Sequence, residues 1–486
     1  MSATRAVPQK AVLLAAGAGT RLEGETLPKP LVPILGVPLI VRALVQFQRA
    51  GVEEAIIVVG HRGDEIRAAL AREPRLKLRL TFVDNPAWRK KNGVSVLAAR
   101  EAVGNSEFYL SMSDHVFEPT LVAGLKATPC PADGAVLAID RKIDDVYDMD
   151  DAMKVVVADD GRVSAIAKDL RDFNAIDTGL FRATPGLFVA LEAATRDGDC
   201  SLADGCRALA GAGKMATVDI GRGRWQDVDT PGSKPIAEKM LLDGLRKPLH
   251  DGVVSSNINR HVSLAITRRL AKTNVTPNQI SAVCALLAIA AAVLVAQGGY
   301  FAPLLGAFLF QWNSIIDGVD GEIARVKFLG SKTGEWVDTL VDDGSNIVFF
   351  VGMTVGAVRE TGDNFYAALG GVTLALSLAA TALMYRRLIQ IGSGDLNLFA
   401  WEFDTKADER RSTNPLSKLK LLMKKDFFVF MFFVLALFGV LRAGFWLYVV
   451  GMPIVFVAVV LQTVQMQRIV RFPSQPIKRG GAPESW

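Results

Sequence analysis

After residue 278 the chain is dominated by long apolar runs. A run that must cross about 30 Å of hydrocarbon can satisfy its own backbone only as a helix of about 20 residues or as part of a closed barrel. Six such segments are legible, roughly residues 279–297, 301–316, 335–357, 365–385, 427–441 and 445–466, and the second and fifth are short for a span. The earlier part has another rhythm: β-rich runs (Ala11 to Ala15, Ala55 to Val59) alternate with helical ones (Leu39 to Ala50, Glu65 to Arg72). That alternation predicts βαβ units. The expected fold class is therefore an α/β domain, doubly wound on a mostly parallel sheet (1–247), then a linker with a juxtamembrane helix (248–278), then an all-α, six-span transmembrane domain with a tail (279–486).

Charge sets the expected orientation. Arg325, Lys327 and Lys332 lie between spans two and three, and Arg386, Arg387, Lys406, Arg410, Arg411, Lys418, Lys420, Lys424 and Lys425 between four and five, whereas the alternate loops carry Arg359 and Arg442. By the positive-inside rule the basic loops, the N-terminal domain and the tail with Arg468, Arg471, Lys478 and Arg479 face the cytoplasm of a cell-membrane protein. Residues 257–272 interleave Ile258, Val262, Leu264, Ile266 and Leu270 with Arg260, Arg268, Arg269 and Lys272, which predicts an amphipathic helix at the lipid headgroups. Arg5 and Lys10 precede the apolar stretch Ala11 to Ala16, but that stretch is too short for a signal peptide and runs into a glycine-rich turn. A net charge of +5, with no basic tract in the N-terminal half, argues against nucleic acid as a partner. The four cysteines form no CxxC pair, which argues against zinc and for reduced thiols.

Four aspartates interrupt the apolar half: Asp317 and Asp320 three apart, Asp338 and Asp342 four apart. On helices each pair shares a face, so two adjacent spans aim four carboxylates at one point. Unpaired at mid-membrane, each would cost about 2.5–3.5 kcal/mol, so a bound divalent cation is the economical explanation. Hard oxygen ligands without His or Cys select Mg²⁺ or Mn²⁺. Gly318, Gly321 and Gly334 allow a nucleotide close approach, and Arg325 is placed to meet phosphate.

This DxxDGxxAR…GxxxDxxxD pattern, complete here and led by Thr276-Pro277-Asn278, resembles the CDP-alcohol phosphotransferase family over about residues 255–470. The resemblance implies that Asp317, Asp320 and Asp338 hold the metals and that Asp342 completes the site or deprotonates the acceptor hydroxyl. It also implies release of CMP and a homodimer through the membrane spans.

Upstream, the first strand opens into Leu14-Ala15-Ala16-Gly17-Ala18-Gly19-Thr20-Arg21, followed by Pro28-Lys29-Pro30. Glycines let backbone N–H groups wrap a triphosphate, Arg21 and Lys29 oppose its charge, and strand ends are where open sheets bind ligands. A third Rossmann glycine and a P-loop GK[ST] are both missing. The arrangement resembles the sugar-phosphate nucleotidyltransferases over about residues 9–240. That likeness implies Mg²⁺ on Asp114 and Asp229, a catalytic Lys29, a nucleotide and sugar loop at Asn92 and Gly93, and a substrate strand with Lys168 and Asp177-Thr178-Gly179. Hexose enzymes carry Glu-Lys-Pro where this chain reads Ala167-Lys168-Asp169-Leu170, which fits the inositol-phosphate or phosphocholine branches better.

A nucleotidyltransferase tethered to an enzyme that consumes CDP-alcohols implies CTP as its nucleotide. The whole arrangement resembles the bifunctional inositol-1-phosphate cytidylyltransferase and di-myo-inositol-phosphate-phosphate synthase family. The resemblance implies inositol-1-phosphate as substrate, CDP-inositol as intermediate, and a second inositol-1-phosphate as acceptor, with Arg386 and Arg387 as candidates for its phosphate. The competing expectations are phosphocholine or phosphoethanolamine activation with transfer to a lipid, which needs an aromatic cage, and a transporter that uses the acids as an ion path.

Overall fold

The computed structural model describes residues 8–22, 25–246, 252–396 and 425–471, with side chains to 464. Lys406, Arg410, Arg411, Lys418, Lys420, Lys424, Lys478 and Arg479 of the topology reading, and Arg5, lie outside the described residues. The chain divides into two compact units, Met1–Asp243 and Gly244–Trp486.

In the first unit, the strand Lys10–Ala15 lies between two parallel neighbours, Glu54–Val59 and Phe108–Met112, with Arg79–Asp84 parallel beyond the former. A strand covered on both faces has no solvent side to mark with polar residues, so Ala11 to Ala15 is apolar throughout and fully buried. The sheet then reverses. Strand Ala175–Ala183 pairs antiparallel with Phe108–Met112 and carries Lys154–Val157 and Ala135–Asp140 on its other side. Val163–Ala167 and Met215–Asp219 complete nine strands. The parallel half thus follows the βαβ reading, and the antiparallel strands build the far wall of the cavity at its strand ends.

The second unit is helical: Arg260–Leu270, Pro277–Val295, Phe301–Val326, Lys332–Thr361, Phe365–Ile391, Lys425–Leu437 and Arg442–Arg471. Each of the six apolar segments falls on a helix. Among the described residues four of these helices are long and apolar enough to cross a membrane. Lys425–Leu437 has only 13 residues, and Phe301–Val326 carries the acids. Those acids explain why the second segment read as short: hydropathy drops at Asp317 while the helix continues to Val326.

Capping fixes where Pro277–Val295 and Lys332–Thr361 start. The Thr276 side chain accepts from the Gln279 N–H in a reciprocal capping box with Pro277 in the first turn, and Ser331 Oγ accepts from Gly334 N–H at 3.0 Å. Small residues then bring three helices together. A Cβ on Gly306 would stand 2.7 Å from the Ala291 carbonyl oxygen, and one on Gly352 or Gly356 would stand 2.5 Å from that of Ala292 or Val295. Phe310 stacks on Phe349 with centroids 3.9 Å apart. Leu286, Val293, Phe301, Val372, Val450 and Ile454 remain exposed, an apolar surface that water would penalise.

Candidate active sites

The glycine turn leaves the buried end of Lys10–Ala15 and passes tightly over Lys29. Gly19 adopts φ +64°, and a Cβ there would sit 2.5 Å from Lys29 Cβ. Lys29 opens a short 3-10 turn, Lys29–Leu31, and its Nζ donates to Asp114 Oδ2 at 2.6 Å and to Asp229 Oδ1. Asp114 lies just past the end of strand Phe108–Met112, and Asp229 just past Trp225–Asp227. Burial acts to raise the Asp114 carboxyl, but the Lys29 ammonium and His115, whose Nδ1 is 2.7 Å away, outweigh it and hold the group well below the carboxylate range. Burial likewise acts to lower Lys29 and His115, and the facing carboxylates hold both above their ordinary values. At neutral pH Lys29 and Asp114 are therefore both charged. An ammonium already bridging Asp114 and Asp229 shows that these carboxylates fit a cation.

A cavity of about 1160 Å³ opens over this group. Leu14 to Gly17, Gly19 to Arg21, Lys29, Asn92, Asp114, Lys168 and Asp229 are all on its wall. Gly93 instead packs on backbone: a Cβ there would meet the Cys200 carbonyl oxygen at 2.6 Å. Sequence reading passed over Asp151, whose Oδ2 accepts from Arg21 Nη1 at 2.5 Å and whose Oδ1 accepts from Lys168. It thus engages the two cations expected to meet phosphates. All three side chains are about a third or more exposed, so these pairs are worth at most about 1 kcal/mol. Asp151→Asn is accordingly expected to lower the nucleotide KM by about two- to fivefold, read from initial rates of pyrophosphate release.

On the far wall Asp177 Oδ1 accepts from Gly179 N–H at 2.7 Å. Burial pushes its carboxyl up to about 6 against that bond. A folded pKa above the unfolded 3.8 means that the stabilising contribution is complete below about pH 4 and is lost as pH rises through about 6, up to ~3 kcal/mol. Denaturant midpoints of wild type should thus fall relative to those of Asp177→Asn between pH 4 and 7.

In the helical unit, Asp320 is 4% exposed; one carboxylate oxygen accepts from Ser281 Oγ at 2.8 Å and the other from Gly321 N–H. Lys425, which the topology reading counted only as a loop charge, begins its helix with Nζ against Asp342 Oδ1 and 3.9 Å from Asp317 Oδ2. An ammonium thus stands between one acid of the first pair and one of the second. Among the described residues no three His, Cys, Asp or Glu groups are drawn together as a ready-made metal site, yet the all-carboxylate donor set and the cation between Asp342 and Asp317 fit a hard divalent ion.

The Arg325 guanidinium lies over Gly321, with Nη1 3.2 Å from where a Cβ would be, and Gly334 faces Ser331 and Asn278. Arg386 is exposed, and Arg387 donates to Gln390 Oε1 at 3.2 Å. Both follow Tyr385, whose hydroxyl donates to Asp343 Oδ2 at 2.8 Å, one residue from Asp342. The 257–272 segment is helical, and one face of it packs on protein. It begins with a π-helical turn at Ser255–Asn259, and it buries Ser263, Leu264 and Thr267 while Ile258 is exposed. A buried acid on the neighbouring helix, Glu322, draws its polar stripe inward.

Residues 11–180 match the MobA-like NTP transferase domain family and residues 274–464 the CDP-alcohol phosphatidyltransferase family. A protein of Rubrobacter xylanophilus described as a bifunctional IPC transferase and DIPP synthase is 36% identical over 75% of this chain and 81% of its own. Proteins of the same description from Thermococcus kodakarensis and Aquifex aeolicus are 35% and 32% identical, over 76% and 69% of this chain and 82% and 74% of theirs. The solved inositol-1-phosphate CTP transferase from T. maritima is 26% identical over 48% of this chain and 96% of its own, with a TM-score of 0.44. The chain belongs to the bifunctional IPC transferase and DIPP synthase family.

Proposed function

We propose that the first unit joins CTP to inositol-1-phosphate, releasing pyrophosphate, and that the second transfers phosphoinositol from the CDP-inositol so made to another inositol-1-phosphate, releasing CMP. The observation that carries this reading is that one chain matches an NTP transferase family over residues 11–180 and a CDP-alcohol phosphatidyltransferase family over residues 274–464, an activating enzyme joined to one that consumes activated alcohols.

In the first site Arg21 and Lys29 hold the nucleotide phosphates, and Lys168 receives the acceptor phosphate. A phosphate oxygen of inositol-1-phosphate attacks the α-phosphorus in line, and the bond to pyrophosphate breaks; positioning and charge neutralisation suffice, without a protein nucleophile. Asp114 and Asp229 would hold Mg²⁺ there, and Asp317, Asp320, Asp338 and Asp342 would hold Mg²⁺ or Mn²⁺ in the second site. Such ions neutralise phosphate charge as it redistributes. In the second site Asp342 takes the proton from the acceptor hydroxyl, the new oxygen–phosphorus bond forms at the β-phosphorus, and CMP leaves. Arg325 meets the donor phosphates, while Arg386 and Arg387 grip the acceptor's phosphate.

Six membrane crossings, with a cytoplasmic N-terminal unit, cytoplasmic acid ends and a homodimeric membrane domain in a lipid bilayer, complete the proposal. It is supported by the alternation of helix ends bearing Arg325, Lys332, Arg386 and Arg387 with ends bearing Arg359 and Arg442.

A choline cage finds little support in the first cavity. Trp225 is stacked on His115 at 5.9 Å, and Arg89 lies 4.2 Å over the Trp88 ring, so a cationic headgroup would meet positive charge. Purified full-length protein with CTP, Mg²⁺ and labelled inositol-1-phosphate should yield pyrophosphate, CDP-inositol, CMP and a phosphorylated di-inositol phosphate. Formation of CDP-choline from phosphocholine, with none of those inositol products, would sink the assignment.

A further inference from the structure

The acid pattern of the Phe301–Val326 helix leaves Glu322 unspecified, yet this carboxylate is fully buried. Its oxygens accept three side-chain hydrogen bonds from the Arg260–Leu270 helix: Arg260 Nη1 at 2.7 Å and Ser263 Oγ at 2.7 Å on Oε1, and Thr267 Oγ1 at 2.6 Å on Oε2. The same stripe of the longer helix continues at Gly318, where a Cβ would stand 3.6 Å from Arg260 Nη1, and at Gln311, which donates to Asn259 Oδ1 at 3.0 Å. Below it, Lys327 Nζ donates to the Thr273 and Val275 carbonyls at 2.7 and 3.2 Å. The segment also reaches the helix of Lys425, since Ser255 N–H donates to Asp426 Oδ2 at 2.7 Å.

At about 100° per residue, Glu322 stands on the helix face turned away from Asp317 and Asp320. A lock on the rear face fixes the rotation that aims the front one. Apolar residues would hold two helices together equally well, since the desolvation of a buried ion pair offsets most of its attraction. What a carboxylate held by three fixed donors adds is a single rotation and register.

We propose that Glu322, with Arg260, Ser263 and Thr267, is a positioning residue of the transfer reaction, setting the rotation of the Phe301–Val326 helix so that Asp317 and Asp320 face Asp338 and Asp342. The proposal rests on the reading in which these four aspartates hold the metal.

The test uses the full-length chain in detergent. Mn²⁺ binding is followed by electron paramagnetic resonance, and the relevant site is the one lost in Asp338→Ala. Transfer from supplied CDP-inositol, pyrophosphate release by the first unit and the melting temperature are measured beside it, all rates well below melting. Glu322→Gln should weaken that Mn²⁺ site and lower the transfer kcat by about tenfold or more each, with the KM for CDP-inositol and the pyrophosphate rate little changed. The apolar double variant Glu322→Leu with Arg260→Met should recover the wild-type melting temperature while Mn²⁺ affinity and kcat stay low; it carries the same test if Glu322→Gln does not fold. Wild-type Mn²⁺ affinity and kcat in the double variant would mean that the network only packs two helices, and the proposal falls. Wild type without an Asp338-dependent Mn²⁺ site overturns the metal reading and this proposal with it; wild type with that site, and variants that match it, overturns the proposal alone.

Discussion

Replacing Asp338 with alanine should lower CMP release by about 10²–10³-fold, the scale on which losing one preorganised charge-stabilising group is felt. Pyrophosphate release from CTP should continue at the wild-type rate. The two expectations separate because Asp338 belongs to the helical unit, whereas Lys29, Asp114 and Asp229 belong to the first. CDP-inositol should therefore accumulate in the variant. A variant that loses both reactions would contradict two independent sites, and one that retains CMP release would remove Asp338 from the chemistry. The measurement is a product time course by chromatography on labelled inositol-1-phosphate.

Lys29→Met should give the mirror image, with pyrophosphate release down by about 10³-fold and transfer from supplied CDP-inositol intact. Methionine keeps an apolar stem under the Gly19 turn and deletes the charge. Asp114 and Asp229 are then left facing each other without the ammonium that bridges them. Removing one partner of a buried ion pair costs about 3–5 kcal/mol, so the first unit should melt at lower temperature. Magnesium should restore more of that loss in Lys29→Met than it adds to wild type, because the cation that bridged the two acids is gone and Arg21 reaches Asp229 alone. Equal magnesium effects in both proteins would place the ion elsewhere.

What the sequence made legible follows from how local each signal is. The strand Lys10–Ala15 and the helix Leu39–Arg49 announce themselves through short apolar periods, and Asp317, Asp320, Asp338 and Asp342 through helical spacing alone. The antiparallel pairing of strand Ala175–Ala183 with Phe108–Met112 did not, because it joins residues about seventy positions apart and no local pattern encodes that choice. Hydropathy ended the second membrane segment at 316 because it registers apolar content, whereas the backbone continues helical to Val326. The juxtamembrane helix was legible as amphipathic, but not its partner in the protein: a single buried acid, Glu322, gives Ser263 and Thr267 hydrogen bonds that no hydropathy pattern encodes. Lys425 was hidden for a related reason: a charge at a helix start reads the same whether it faces water or Asp342.

The contacts of Gly306, Gly352 and Gly356 against the Ala291, Ala292 and Val295 carbonyls lie two or more helical turns from the nearest site aspartate. In a saturation scan scored by product yield, these positions should form a second band of intolerance, as severe as the aspartates for any residue with a side chain and blind to its charge. Read without the fold, that band would pass for a second reaction centre. Its signature is different: the affected proteins should fail at assembly in the bilayer, losing yield of intact enzyme, while whatever survives turns over at the ordinary rate.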